Sequence, residues 1–179
     1  MSPSIPVVSP IQETDLLVAF ADLTQFARFS RGISDIELFR TMNDYFELVG
    51  VIVAEGGGTV IKFIGDAGLF VFPHEGVDAG VRALHRLQTE GDAWLETRGL
   101  PCRHQIKAHF GPVVLGPIGA RGTKRLDVYG QTVNTAALLK GQGLSITSQV
   151  FRKLAPATRK RFKKHTPPVT YIPVQQRHE

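Results

Sequence analysis

Residues 59–72 read TVIKFIGDAGLFVF, and the rest of the chain can be ordered around this stretch. Two apolar runs flank Gly65-Asp66, a dipeptide that suits a two-residue hairpin turn. Alternation along the first run places Val60, Lys62 and Ile64 on one side of a strand and Thr59, Ile61 and Phe63 on the other. Its two charges are Lys62 inside the first strand and Asp66 at the turn. A hairpin folds without either, so both are candidates for chemistry.

Upstream, residues 16–21 (LLVAFA) have the length of a short buried strand and end at Asp22. Ser34 and Glu37 have the spacing of a capping box, predicting a helix start. Ile36, Phe39, Phe46, Val49 and Val53 then recur at helical spacing up to the glycines at 56–58. Downstream, a second helix is predicted over 77–95, with Val81, Leu84, Leu87 and Trp94 as its buried stripe. Ile106, Ala108 and Phe110 alternate as in a strand over 104–110, and Gly111-Pro112 predicts a turn before an apolar run at 113–118. A polar loop or arm follows at 119–125, then a short strand at 126–129 and a helix over 131–140. Closing strands are expected at 144–147 and 169–174, with a helix near 148–163 between them. This interleaving points to an α+β or α/β sandwich around one main sheet.

At 179 residues, one domain is the natural reading, and residues 1–14, with three prolines, read as a poorly ordered lead-in. No apolar run approaches the ~18 residues that span a bilayer. The N-terminus lacks the basic and apolar regions of a signal peptide, so a cytoplasmic protein is expected. Cys102 is the single cysteine, which excludes an intramolecular disulfide and a Cys-rich zinc site. The net charge is +5, and seven Lys or Arg without one acid lie between Arg152 and Lys164. That run reads either as a solvated helix face or as a contact for a polyanion, nucleic acid or a nucleoside triphosphate. The histidines, including His74, His85 and His109, lack ligand-like spacing and read as structural or surface residues.

Asp22 ends an apolar strand before a loop, where sheets commonly expose functional groups. Alone it reads as a cap, and Asp66 alone as an ordinary turn residue. Together they are two carboxylates at strand ends, without His or Cys nearby. Such an oxygen set suits Mg²⁺ bound jointly with substrate phosphates.

Three blocks then carry a resemblance. VAFADLTQF (18–26), GGGTVIKFIGDAGLFVF (56–72), and GPVVLGPIG (111–119) followed by KRLDVYGQTVNTAALL (124–139) resemble, in order and spacing, the three blocks of class III nucleotidyl cyclases. The resemblance implies an α+β, ferredoxin-like (βαββαβ) catalytic domain over 15–179, with a central, mostly antiparallel sheet flanked by helices. It implies that Asp22 and Asp66, with the Leu23 backbone, hold two divalent metals, Mg²⁺ or Mn²⁺, per site. The backbone of Leu23, Thr24, Gln25 and Phe26 would face the phosphates. Lys62 and Asp127 match the pair that reads adenine, the lysine donating to purine N1 and the aspartate accepting from the exocyclic amine. Without the resemblance, Lys62 reads as a strand lysine with its tip in water. Asn134 matches the residue that orients the ribose, and Lys163 or Lys164 the lysine that binds the β- and γ-phosphates. Family sites form between two chains, which implies a homodimer acting on ATP, with no stable nucleic-acid partner and no membrane segment in this chain.

The chain departs from the family at two places. Gln25 stands where glycine is usual, and Leu138 stands where an arginine stabilises transition-state charge. Lys140 would lie about 200° around the helix from that face, so Arg125 or Lys124 is the better replacement. The implied activity is an adenylyl cyclase slowed by Leu138. The alternatives are a degenerate nucleotide-binding module and a nucleic-acid binder using residues 152–164.

Overall fold

In a computed structural model, residues 10–166 and 169–176 are described. The chain opens with β1 (Gln12–Leu23), followed by α1 (Phe26–Ser30) and α2 (Asp35–Glu55). The hairpin β2 (Thr59–Ile64) and β3 (Ala67–Pro73) leads to α3 (Val77–Thr97) and the long β4 (His104–Ile118). Next come β5 (Arg125–Tyr129), α4 (Gln131–Leu138), β6 (Leu144–Ile146), α5 (Ser148–Lys153), α6 (Pro156–Arg159), β7 (Phe162–His165) and β8 (Thr170–Pro173). Among the described residues the strands form one sheet in the order β2-β3-β1-β4-β6-β8-β7, with β5 on the far end of β4. The pairings are antiparallel apart from β4 with β6. The first half is therefore the expected βαββαβ unit, with β1 at its centre between β3 and β4.

Alternation on the central strands splits the apolar residues into two layers. Leu17, Ala19, Ala21 and Leu23 of β1 join Phe70, Phe72, Ile106 and Ala108 beneath α2 and α3. Leu16 and Val18 face the other side, with Leu69, Val71, Val113 and Leu115, where Ala136 of α4 packs. This second face is thinly covered, and it carries the polar residues discussed below.

Several expectations need correction. β1 begins at Gln12, which pairs with Leu115, so the lead-in gives way to strand before residue 14; residues 1–9 lie outside the described part. The capping box forms, with Glu37 N–H donating to Ser34 Oγ and Ser34 N–H to Glu37 Oε2. Yet Ile36 and Phe39 are exposed, and the buried stripe of α2 is Tyr45, Val49, Ile52 and Val53. On α3 the inward position is Leu95, while Trp94 lies half-buried against Tyr45.

Gly111-Pro112 does not turn: β4 runs straight through it. Pro112 O accepts the Thr132 hydroxyl of α4 at 2.7 Å. A strand residue aims its N and O to the same side, so the proline nitrogen also faces away from β1, where no ladder bond is lost. A Cβ on Gly111 would meet Thr132 Oγ1 at 2.7 Å, so this glycine lets α4 sit close on the sheet. The helix expected near 148–163 is two short helices and an edge strand, because Pro156 starts α6 after an extended Leu154. The helix expected over 131–140 stops at Leu138, with Leu139 extended, so Lys140 is not on it.

Candidate active site

The turn at the tip of the 59–72 hairpin closes with Ile64 opposite Ala67, and Gly65 takes φ 63°. One feature departs from simple alternation. The β2–β3 register slips between Val60 and Lys62, so Ile61 is the extra residue of a β-bulge. Val60 and Phe63 pack into the helix-covered layer, whereas Ile61 packs on the opposite one. Lys62 stands opposite Leu69 and shares the side of Ile61, not of Val60. Bulges re-aim side chains in this way. Here the bulge delivers Lys62 Nζ to Asp127 Oδ2 of β5 at 2.6 Å. Asp127 Oδ1 accepts from Val128 N–H at 2.8 Å, which fixes the carboxylate plane. The two side chains, separated by 65 residues, are 38% and 14% exposed.

At the other end of the hairpin, Asp66 reaches the residue that follows Asp22. Asp66 Oδ2 accepts the backbone N–H of Leu23 at 2.9 Å, which ties the turn to the last residue of β1. The carbonyl of Leu23 points to the same side as its N–H, toward Asp66. Asp22 lies one residue back, on the thinly covered face. Burial raises its pKa above the ordinary carboxylate range; Lys107 opposes this and Asp66 adds to it. Asp22 Oδ1 is buried without a hydrogen-bond partner. A buried, partnerless carboxylate oxygen beside a second carboxylate and a backbone carbonyl fits a hard divalent cation with oxygen ligands. Among the described residues there is no cluster of three or more His, Cys, Asp or Glu that would form a self-sufficient metal cage. The set accords with a metal that completes its shell from substrate oxygens.

The loop after β1 is held tightly. Thr24 N–H donates to Arg103 O at 2.9 Å and Thr24 Oγ1 accepts from Arg103 N–H at 3.0 Å. With Leu23 N–H committed to Asp66, the backbone donors left for an anion are those of Gln25 and Phe26. Gln25 takes the left-handed conformation (φ 58°, ψ 11°) as the N-cap of α1, the one non-glycine with positive φ among the described residues. The preference for glycine there thus has a backbone cause, since a side chain in this region costs roughly 1–2 kcal/mol.

Asn134 and Leu138 are exposed one turn apart on α4, and Leu138 is 79% exposed. Lys163 and Lys164 lie on β7, at the edge of the sheet farthest from β2, so one chain does not bring them to the aspartates. The described structure therefore joins Lys62 with Asp127, ties Asp66 to the residue after Asp22, and leaves Lys163 and Lys164 at the far edge of the sheet from both pairs.

His104 is a functional-looking residue that its sequence spacing did not single out. It is buried, its Nδ1 lies 2.7 Å from Asp92 Oδ1, and its Nε2 lies 3.0 Å from Tyr45 Oη. A signal was present: His104 is two residues before Ile106 and so falls on the core side of β4, where a polar ring needs partners. His109 hydrogen-bonds Thr147 Oγ1 at 2.9 Å, and burial lowers its pKa and that of His85.

The fold, with carboxylates at adjacent strand ends and a lysine–aspartate pair on the same sheet, defines a nucleotidyl cyclase catalytic domain. The family model described as the adenylate and guanylate cyclase catalytic domain matches residues 9–167, and the chain belongs to that family. It is 31% identical over 156 residues to an adenylate cyclase of Anabaena cylindrica, covering 78% of this chain and 31% of that protein. It is 28% identical over 148 residues to guanylyl cyclase C of Rattus norvegicus, covering 78% of this chain and 14% of the relative. The chain thus spans a third or less of the length of both relatives. Among solved structures, the adenylyl cyclase CyaB from P. aeruginosa superposes with a TM-score of 0.80 at 19% identity, covering 94% of this chain and 98% of that one. Among the described residues no helix is long and apolar enough to cross a membrane.

Proposed function

We propose that this domain is an adenylyl cyclase, converting ATP to 3′,5′-cyclic AMP and pyrophosphate at the interface of a homodimer. The observation that carries the base assignment is the Lys62–Asp127 pair at 2.6 Å. Adenine presents an acceptor at N1 and a donor at its exocyclic amine, the complement of a lysine beside a carboxylate. Guanine presents a donor at N1 and an acceptor at O6, which opposes both groups.

Asp22, Asp66 and the Leu23 carbonyl would hold the divalent ions, Mg²⁺ or Mn²⁺. Bound there, such ions lower the pKa of the ribose 3′-hydroxyl and neutralise charge on the triphosphate. Gln25 and Phe26 offer their N–H groups to the phosphates. From the partner subunit come the base-reading pair, Asn134 for the ribose, and Lys163 or Lys164 for the β- and γ-phosphates. The place of Lys163 and Lys164 on β7, at the edge of the sheet away from the aspartates, supports that division. So does the apolar surface beside Asp127, a cavity of about 160 Å³ lined by residues that include Ile11, Val114, Ile118 and Tyr129. These four side chains are 73%, 38%, 48% and 57% exposed, as expected of a surface that a second copy covers.

Leu138 favours a second reading, a nucleotide-binding module with little turnover. Its side chain makes no substitute for a charge donor, and loss of such a donor costs on the order of 10²–10³ in rate. Arg125 lies two residues from Asp127 on β5 and shares its side of the strand, which makes it the nearest replacement. The deciding experiment assays ATP, GTP, CTP and UTP with Mg²⁺ and with Mn²⁺ on the wild type and on Leu138→Arg. Cyclic AMP from the wild type, raised by about 10²-fold or more in the variant, supports the enzyme. ATP binding with neither protein turning it over supports the module.

A further inference from the structure

The thinly covered face of the sheet carries one polar row that the proposed chemistry leaves unused. On β4, Ile106, Ala108 and Phe110 face the helix-covered core, so Gln105, Lys107 and His109 face the other way. Asp22 of β1 stands opposite Gln105, and Phe20 opposite Lys107. On the other flank, Ser145 of β6 stands opposite Lys107. Lys107 and Asp22 are therefore diagonal neighbours on one face, with Cβ atoms ~7–8 Å apart by sheet geometry, within reach of a lysine side chain.

The row is satisfied at one end and unsatisfied at the other. His109 and Thr147 hydrogen-bond each other. Lys107 is half-buried and has no hydrogen bond or ion pair among the described residues. Its two flanking strands carry two of the buried oxygens without partners, Asp22 Oδ1 and Ser145 Oγ. The Lys107 charge lowers the Asp22 pKa against the effect of burial, yet among the described residues the two do not close into an ion pair. A half-buried ammonium with no acid bound to it, beside a carboxylate suited to a metal, is placed for an anion that the metal would also touch.

We propose that Lys107 is a substrate-binding residue that contacts the β- or γ-phosphate of the nucleotide on the protomer that supplies Asp22. This rests on the cyclase reading and assigns a cation to the metal-holding half of the site. It also places that cation on the pyrophosphate leaving group, where it favours departure as charge develops on the bridging oxygen.

The test uses the full chain with Mn²⁺ and compares wild type, Lys107→Gln and Lys107→Arg by calorimetry. Pyrophosphate affinity should fall about 10- to 100-fold in Lys107→Gln, the effect of one charge-assisted hydrogen bond, and recover most of this in Lys107→Arg. Adenosine, which lacks phosphates, should bind all three equally. An unchanged pyrophosphate affinity overturns the assignment, as does an equal loss for adenosine. An equal loss of affinity for Mn²⁺ alone also overturns it, because Lys107 would then act only through Asp22. Should Lys107→Gln not fold, acetylation of the wild type followed by mass spectrometry decides the same question. Pyrophosphate with Mn²⁺ should protect Lys107 and adenosine should not, and absence of protection overturns the proposal. If the wild type binds neither ATP nor pyrophosphate, the cyclase reading fails with it; if it binds both and Lys107 is indifferent, only this assignment fails.

Discussion

Reversing the polarity of the Lys62–Asp127 pair should reverse the base preference. The double substitution Lys62→Glu with Asp127→Asn turns the donor at position 62 into an acceptor for guanine N1–H. It also places an amide donor at 127 for guanine O6. The paired exchange matters, because Lys62→Glu alone would set two carboxylates where Nζ and Oδ2 now lie 2.6 Å apart. The stability cost should be small. With side chains 38% and 14% exposed, the lysine end of the pair is reached and screened by solvent, which holds its contribution to about 1 kcal/mol. In a chain of this length that is a Tm loss of roughly 2–4 °C. The effect on specificity is larger, because the base must occupy these groups away from water. Each reversed hydrogen bond to a charged or buried group is worth about 1.5–3 kcal/mol against the wrong base. Two of them shift the ratio of kcat/KM for ATP over GTP by roughly 10²–10⁴ toward GTP. The assay is cyclic nucleotide formation from both triphosphates with Mn²⁺, alongside thermal unfolding of each protein. A well-folded double variant whose ATP/GTP ratio stays within about threefold of the wild type would refute the assignment of this pair to the base.

Asp22→Asn should abolish turnover while raising Tm by about 2–4 °C, the shift of ~1 kcal/mol, because the fold buries a charged oxygen that has no partner. Since burial raises the Asp22 pKa, the wild type carries no such penalty in acid and acquires it as pH rises through the raised value, so the Tm gap should open from acid toward neutral pH. Mn²⁺ should raise the Tm of the wild type more than that of Asp22→Asn, and equal shifts would place the metal elsewhere. Gln25→Gly should raise stability by about 0.5–1 kcal/mol, the relief of the left-handed backbone less the larger entropy that glycine loses on folding, seen as a higher urea midpoint at unchanged slope; a drop would show that the side chain is compensated.

How far the sequence could be read depended on whether the controlling contact was local. The Ser34–Glu37 capping box, the Gly65-Asp66 turn and the alternation of Ile106, Ala108 and Phe110 depend on neighbours a few residues away, and each forms. The straight passage of β4 through Gly111-Pro112 depends on Thr132 and on a gap beside the strand, neither of which is local. Ile36 and Phe39 continue a helical stripe but extend beyond the sheet that buries its later turns. Period-two alternation places His104 on the buried face of its strand, but its partners Asp92 and Tyr45 come from two different helices.

The bulge at Ile61 shows why the site was harder to read than the fold. Under strict alternation Lys62 shares a side with Val60, whose neighbours are the apolar layer beneath the helices. A lysine on that side would bury its charge without a partner, at a cost of several kcal/mol. One inserted residue moves Lys62 to the face of Ile61, where Asp127 is within reach, and leaves Phe63 stacked on Phe46 in the core. Asp66, four residues on, is unaffected in its own contact, because the turn is anchored separately through Leu23 N–H. The hairpin thus carries two independently fixed groups, Lys62 set by the bulge and Asp66 by the turn. In the proposed homodimer these serve opposite active sites. Deleting Ile61 would make Lys62 follow Val60 directly and keep it opposite Leu69 on the face of Asp127, so the deletion should leave the ATP/GTP ratio of kcat/KM within about threefold of the wild type. Adding one residue between Ile61 and Lys62, by contrast, would turn the lysine toward the core and should abolish base selection.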